Sequence, residues 1–403
     1  MKKENLLSIF KDFLLGTLSS GLVILITQLI VYPSISKNVS QDKFGTILTI
    51  TGIINIISVV LGGSLNNIRL LRDGEYKKEG IKGDFSLLLL IEVILALIFC
   101  VVVGFVFKID LSIFEKILLI VVLIIQLLHS YGAVAYRIKL NYVLMFWFQI
   151  CRGLGYLIGL CLFLFFGNWV IIFLFGELIA LMFLLATTNI LKEPYKITAR
   201  FFATMKDLLQ LLMANTISNI LNYLDRLIIL PILGAGKVAI YYSVSILGKM
   251  ALVVLSPMMG VALSYLVRIK SITTKVFRLI VLSAILVGII TYGIANYITP
   301  YFLFYFYPNI FKEASTILRI AVAGTSIGII ATILHPVLLR FSDMKWQTII
   351  QIVFGIVYIV SGILLMKQYG LIGFCIGVLL SNTVRLLLMI AIGELTIRNK
   401  VKA

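Results

Sequence analysis

The chain has 403 residues, 61% of them hydrophobic, with a mean hydropathy of +1.11 and a formal net charge of +18. A globular domain is about 45–50% apolar, so this chain cannot cover its apolar surface in water, and its solvent must be lipid. The basic excess does not point to nucleic acid, because Lys and Arg gather in connectors on one side of the apolar segments.

A membrane helix needs about 20 apolar residues. On that scale the sequence divides into about twelve spans, at 13–31, 44–63, 85–107, 113–135, 143–166, 169–190, 208–233, 238–266, 277–299, 315–338, 346–366 and 371–393. Lys2, Lys3 and Lys11 precede the first span. It is too long for a signal peptide and no small-residue cleavage site follows, so it is expected to stay. One side of the membrane receives Arg69, Arg72, Lys77, Lys78, Lys192, Arg200, Arg340 and Arg398 among others, and the other receives Lys37, Lys43, Lys108 and Lys312. The bias, roughly 23 cations against 7, predicts that both termini are cytoplasmic and that the span count is even.

Two short matches recur at an offset of about 195 residues, near half the chain. Phe10-Lys11-Asp12-Phe13-Leu14-Leu15 is similar to Met205-Lys206-Asp207-Leu208-Leu209-Gln210, and Asp42-Lys43-Phe44 falls near Gly236-Lys237-Val238. The expected fold is therefore an all-α integral membrane protein of two six-helix lobes related by pseudo-two-fold symmetry. The expected divisions are an N-terminal lobe at 1–190, a cytoplasmic linker at 191–207 and a C-terminal lobe at 208–403.

The seventh span carries the strongest chemistry. Asn215, Asn219, Asn222 and Arg226 recur at helical spacing and share a face, with Ser218 and Asp225 beside it. That face should look into a water-filled path or onto partners, because an ion at a helix centre costs roughly 3 kcal/mol. Weaker polar stripes run along the second span (Thr51, Asn55, Ser58, Gly62) and the first (Thr17, Ser20, Ile24, Gln28), and these could equally serve helix packing.

Five cations remain inside spans: Arg152, Arg226, Lys249, Arg319 and Arg385. Arg152 shares a face with Gly155 and Gly159. Arg319 and Arg385 stand toward helix ends and could snorkel. The acids inside spans are Glu92, Glu177 and Asp225. The excess of cations predicts an interior that draws an anion, most simply a phosphate or pyrophosphate that the arginine fork matches. Arg152, Arg226, Lys249, Arg319, Arg385, Asn215, Asn219 and Asn222 are the candidate cargo contacts. Asp225 is expected to pair with Lys249 or Arg152. Asp225, Glu177 and Glu92 are the candidates for binding a coupling H+ or Na+, Glu92 being otherwise a structural partner.

The four cysteines lie singly in apolar segments, and His129 and His335 stand far apart in the sequence, so no metal site is expected. No Walker A sequence is present. The run Tyr301-Phe-Leu-Phe-Tyr-Phe-Tyr-Pro308 reads as an aromatic belt at the outer interface.

Asn222-x-x-Asp225-Arg226, then Gly234-Ala235-Gly236, then Ala239-x-Tyr241-Tyr242-Ser243, with Pro257 in the next span, resembles the bacterial polysaccharide-biosynthesis flippases. Ala239 stands where that family usually has Gly. These belong to the multidrug/oligosaccharidyl-lipid/polysaccharide exporter superfamily. The resemblance implies a plasma-membrane monomer working by alternating access. It would carry an undecaprenyl-pyrophosphate-linked oligosaccharide to the outer leaflet without acting as an enzyme, alongside a polysaccharide polymerase and glycosyltransferases. A drug/cation antiporter of the same superfamily and a membrane-embedded glycan polymerase or ligase are the rival readings. The first would need an acidic cavity and the second a long outer loop.

Overall fold

The computed structural model describes residues 21–107, 111–266, 269 and 271–402. Among these the secondary structure is helical, with no strand. The chain is helical from residue 21, passes through a π turn at Thr27–Val31 and continues as α1 (Tyr32–Asn38). There follow α2 (Gln41–Glu79), α3 (Asp84–Phe107), α4 (Ile113–Gly132), the short α5 (Val134–Ile138), α6 (Tyr142–Phe166) and α7 (Val170–Thr187). The second half gives α8 (Phe201–Leu233), α9 (Ala235–Leu266), α10 (Thr274–Phe306), α11 (Phe311–Phe341) and α12 (Met344–Lys402).

Eight helices among the described residues are long and apolar enough to cross a membrane. One of them, Lys345–Arg398, holds two of the expected spans, because the chain turns back at Gly370. Its φ of 60° and ψ of −141° suit only glycine. Beyond that turn the two arms of α12 lie against each other. A Cβ on Gly373 would fall 1.9 Å from the Leu365 carbonyl oxygen, and one on Gly377 would fall 2.8 Å from the Gly362 Cα. The outward faces suit lipid. On α3, Leu90, Ile94, Ile98 and Val101 are exposed in helical register, and on α10 so are Leu279, Leu282, Leu286 and Ile289.

The chain forms two compact units. One comprises residues up to Ile35 and Thr46–Leu227, and the other comprises Ser36–Gly45 and Ile228 onward. This differs from the expected divisions: the boundary falls inside α8, beyond the 191–207 linker. The cause is side-chain anchoring along α8. Asp207 accepts from the Arg72 guanidinium. Asn215 Nδ2 donates to Ser64 Oγ at 2.8 Å, and Arg226 Nη1 donates to the Leu48 carbonyl at 2.7 Å. All three partners lie on α2, so most of α8 packs with the N-terminal unit.

In that unit, α6 and α7 cross closely. A Cβ on Gly155 would meet the Phe175 carbonyl oxygen at 2.7 Å, and one on Gly159 would meet the Ile172 Cα at 2.7 Å. Helix α2, at 39 residues, spans about 58 Å, nearly twice the hydrocarbon thickness of a bilayer. Its last turns carry charged groups on the side that the charge bias assigns to the cytoplasm, and opposite charges hold them. Arg69 meets Glu193 at 2.7 Å, and Arg200 donates to Glu75 at 2.6 Å and through Nε to Glu79 at 2.7 Å.

The C-terminal unit is built on a cluster of Phe277, Val281, Ile330, Leu334, Leu338, Met389 and Ile392 from α10, α11 and α12. The two segments matched by the second repeat touch within it. Gln41 Nε2 donates to the Gly236 carbonyl at 3.4 Å, and Gly45 presses so closely on Ala235 that a Cβ would fall 1.7 Å from its carbonyl oxygen. The aromatic run 301–308 splits by face. Tyr301, Phe304 and Tyr305 are exposed, while Phe302 and Tyr307 are buried.

Candidate functional site

The N-terminal unit holds a cavity of about 210 Å³, room for several waters at about 30 Å³ each. The two weaker stripes meet there. Ile24 and Gln28 of the first helix and Thr51 and Asn55 of α2 line it, with Gln126 of α4 and Tyr223 of α8. Gln126 Nε2 donates to Asn55 Oδ1 at 2.7 Å. Thr17 and Ser20 lie outside the described residues. Ser58 donates instead to its own helix at the Ile54 carbonyl, and Gly62 is a packing contact against Leu127.

Arg152 and Glu177 close one wall of this cavity. Glu177 is fully buried, and three side chains converge on it. Arg152 Nη2 donates at 2.7 Å, the Tyr156 hydroxyl donates to the same oxygen, and His129 Nε2 meets the other. The Arg152 guanidinium also lies 5.6 Å from the centre of the Tyr156 ring. A buried carboxylate costs several kcal/mol to desolvate, and this ring of donors offsets it. One of the two expected partners of Asp225 is corrected here. Arg152 pairs with Glu177 rather than Asp225, because the Gly155–Gly159 face of α6 packs onto α7. His129, distant from any partner in sequence, is held by Glu177 as α4 meets α7. The charges lining this cavity are Arg152 and Glu177, which cancel.

The strongest stripe is spent on packing contacts and on its own helix. Asn215 is bound to Ser64, and Asn219 Nδ2 donates to the Asn215 carbonyl at 2.9 Å. Neither lines the cavity; Tyr223, four residues on, does. The side chains of Asn222 and Ser218 lie outside the described residues. Arg226 is buried, donates to the Leu48 carbonyl and lies over the Tyr223 ring at 5.3 Å. Gly52 gives it passage, since a Cβ there would stand 3.0 Å from Arg226 Nη1. The Asp225 carboxylate accepts from the Arg226 backbone N–H at 2.9 Å.

A second cavity, of about 330 Å³, lies within the C-terminal unit. Arg385 and Gln351 of α12 line it with Thr332 and His335 of α11 and Met259 and Leu263 of α9. Arg385 lies 5.1 Å from the centre of the Phe354 ring, and its Nε is buried with no hydrogen-bond partner among the described residues. The sequence pointed to Arg385 but missed His335 and Gln351. Their register was the available signal: His335 stands three residues beyond Thr332 on one face of its helix.

The remaining candidates are dispersed. Arg319 is exposed near the start of α11, which agrees with snorkelling and brings it to neither cavity. Lys249 is half-buried in α9. Glu92 is fully buried in α3, and neither carboxylate oxygen has a hydrogen-bond partner among the described residues. It is therefore not the structural ion-pair partner it could have been.

No family model matches the chain, and no curated protein matches it. Solved structures do. The chain is similar to an inward-facing multidrug resistance MATE family transporter of the MOP superfamily, with a TM-score of 0.68 and 14% identity over 96% of each chain. It is equally similar to the lipid II flippase MurJ in an inward closed conformation, with a TM-score of 0.67 and 15% identity over 98% of this chain and 87% of that one. An outward-facing MATE transporter gives a TM-score of 0.61 at 14% identity, covering 98% and 97%. The chain has the fold of these MATE and MurJ structures. This overlap runs through nearly its whole length, so the two-lobe, all-α membrane architecture expected from the spans and the repeat is the observed one.

Proposed function

We propose that this MOP-fold chain is a flippase. It moves undecaprenyl-pyrophosphate-linked oligosaccharide repeat units from the inner to the outer leaflet by alternating access. The carrying observation is the absence of an uncompensated acid among the residues lining either described cavity. In the N-terminal unit Glu177 is committed to Arg152, Tyr156 and His129, and the C-terminal cavity is lined by Arg385 and His335 with no carboxylate. A cationic drug would find no countercharge there, whereas a phosphate-bearing lipid would. The amides and hydroxyls of Gln28, Asn55, Gln126 and Tyr223 suit sugar hydroxyls. MurJ, a lipid II flippase, has this fold.

The chain is read as a plasma-membrane monomer with cytoplasmic termini, acting beside glycosyltransferases and a polysaccharide polymerase. Arg226 remains a cargo contact in this reading. A coupling H+ or Na+ is assigned to Glu92, whose carboxylate oxygens have no hydrogen-bond partner among the described residues, in preference to the fully engaged Glu177. Removing the chain from its producing cell should make undecaprenyl-linked repeat units accumulate on the cytoplasmic face, measured by lectin access to intact and broken spheroplasts. Accumulation of unpolymerised units on the outer face identifies a polymerase instead. Normal export with new drug sensitivity identifies a drug exporter.

A further inference from the structure

We infer that the C-terminal unit carries its own diphosphate pocket, anchored by Arg385 with His335 and Gln351, and that it holds the headgroup of an isoprenoid-linked lipid. The isoprenoid rests on the flippase reading; the phosphate chemistry does not.

Three features carry the inference. The first is an unspent guanidinium. Arginine offers five N–H donors in a fixed plane, yet no carboxylate pairs with Arg385 among the described residues, and its shielded Nε has no partner. The Phe354 ring at 5.1 Å holds the group in place without using a donor. Leaving such an ion unmatched is costly, and a bound anion removes the cost.

The second is the composition of the wall. The Thr332 hydroxyl donates to its own helix at the Gly328 carbonyl, 2.9 Å away, so its proton is committed. The donors left to the cavity are Arg385, His335 and Gln351, which together suit phosphate oxygens. Met259, Leu263 and Leu339 supply an apolar side. Donors on one side and aliphatic groups on the other match an anionic headgroup whose first chain carbons leave it.

The third is depth. Leu263 stands one turn from the end of α9, Leu339 lies in the last turn of α11, and Gln351 stands two turns into α12. The pocket thus lies toward those helix ends, on the side that the charge bias assigns to the cytoplasm, where a lipid carrying its headgroup at the inner leaflet would arrive.

The test uses the purified full-length chain in nanodiscs of zwitterionic lipid, with farnesyl diphosphate as probe. The chain has two histidines, of which His129 is buried, so diethyl pyrocarbonate modification read by peptide mass spectrometry reports on His335. Farnesyl diphosphate should protect His335, and inorganic pyrophosphate should do so less well. Arg385→Gln should weaken binding about tenfold or more, the loss typical of a charge-assisted hydrogen bond. Lys312→Gln, an exposed cation of the same unit, should bind as the unmodified chain does. The pocket is overturned if farnesyl diphosphate leaves His335 unprotected, a reading on the unsubstituted chain that no folding defect can confuse. It is also overturned if the two substitutions weaken binding equally. Equal competition by phosphatidylglycerol overturns the isoprenoid and makes this a site for bulk lipid headgroups. None of these outcomes alters where repeat units accumulate in cells, so the flippase reading stands or falls separately.

Discussion

At Glu177 one buried carboxylate organises the wall of a cavity. Its side chain is 2% exposed and that of Arg152 is 17% exposed, so each ion depends on the other for solvation. Removing one partner of such a pair costs about 3–5 kcal/mol, while replacing both by neutral groups costs much less. Glu177→Gln should therefore lower the thermal unfolding midpoint in detergent sharply, and Arg152→Gln with Glu177→Gln should recover much of the loss. A double variant as unstable as the sum of the singles would show that the two do not act as a pair. Both residues were legible as ions inside spans, and the cost of burying them announced that they mattered. Their pairing was not legible, because Asp225 offered an equally plausible acid and sequence spacing says nothing about which helices adjoin. The resolving detail was the Gly155–Gly159 face beside Arg152. It marks where a neighbouring helix comes closest, and α7 brings Glu177 there.

That same face sets how α6 sits on α7. With no Cβ at Gly155, the helix backbones approach to van der Waals contact; a methyl there would meet the Phe175 carbonyl oxygen at 2.7 Å and the Gly176 Cα at 2.8 Å. Backbone cannot rotate away as a side chain can, so Gly155→Val must separate the helices, an overpacking that costs about 1–3 kcal/mol. It should lower the unfolding midpoint and raise the maleimide reactivity of Cys151, half-buried on the preceding turn. Unchanged labelling and stability would mean that the helices do not touch there. Element existence was the most readable level of this chain, since apolar length fixes where helices run. The use of each polar stripe was the least readable. The strongest, on α8, spends Asn215 on a hydrogen bond to α2 and Asn219 on one within its own helix, and members of the two fainter ones, Gln28, Thr51 and Asn55, line the cavity. A polar face in lipid must be satisfied, but periodicity cannot distinguish satisfaction by a neighbour from satisfaction by water.

Across the whole molecule, lipid as solvent follows from composition, and the count of spans from their length. The division of the chain does not follow from its loops. Charged and polar residues at 191–207 mark a connector, and connectors read naturally as borders between lobes. Yet α8 continues to bind α2 through Asp207, Asn215 and Arg226, and the N-terminal unit extends to Leu227. Where the chain crosses the membrane interface and where one packed unit ends are separate physical questions, the first answered by hydropathy and the second by side-chain anchoring. A truncation series distinguishes them. A fragment ending at residue 233 keeps all three anchors, whereas one ending at 199 exposes the α2 groups that they satisfy, including the Arg72 guanidinium. The longer fragment should purify as a single species and unfold at a higher temperature, and the shorter should aggregate or be degraded. If the fragment ending at 199 proves the more stable, α8 belongs to the C-terminal unit and the anchors to α2 are incidental.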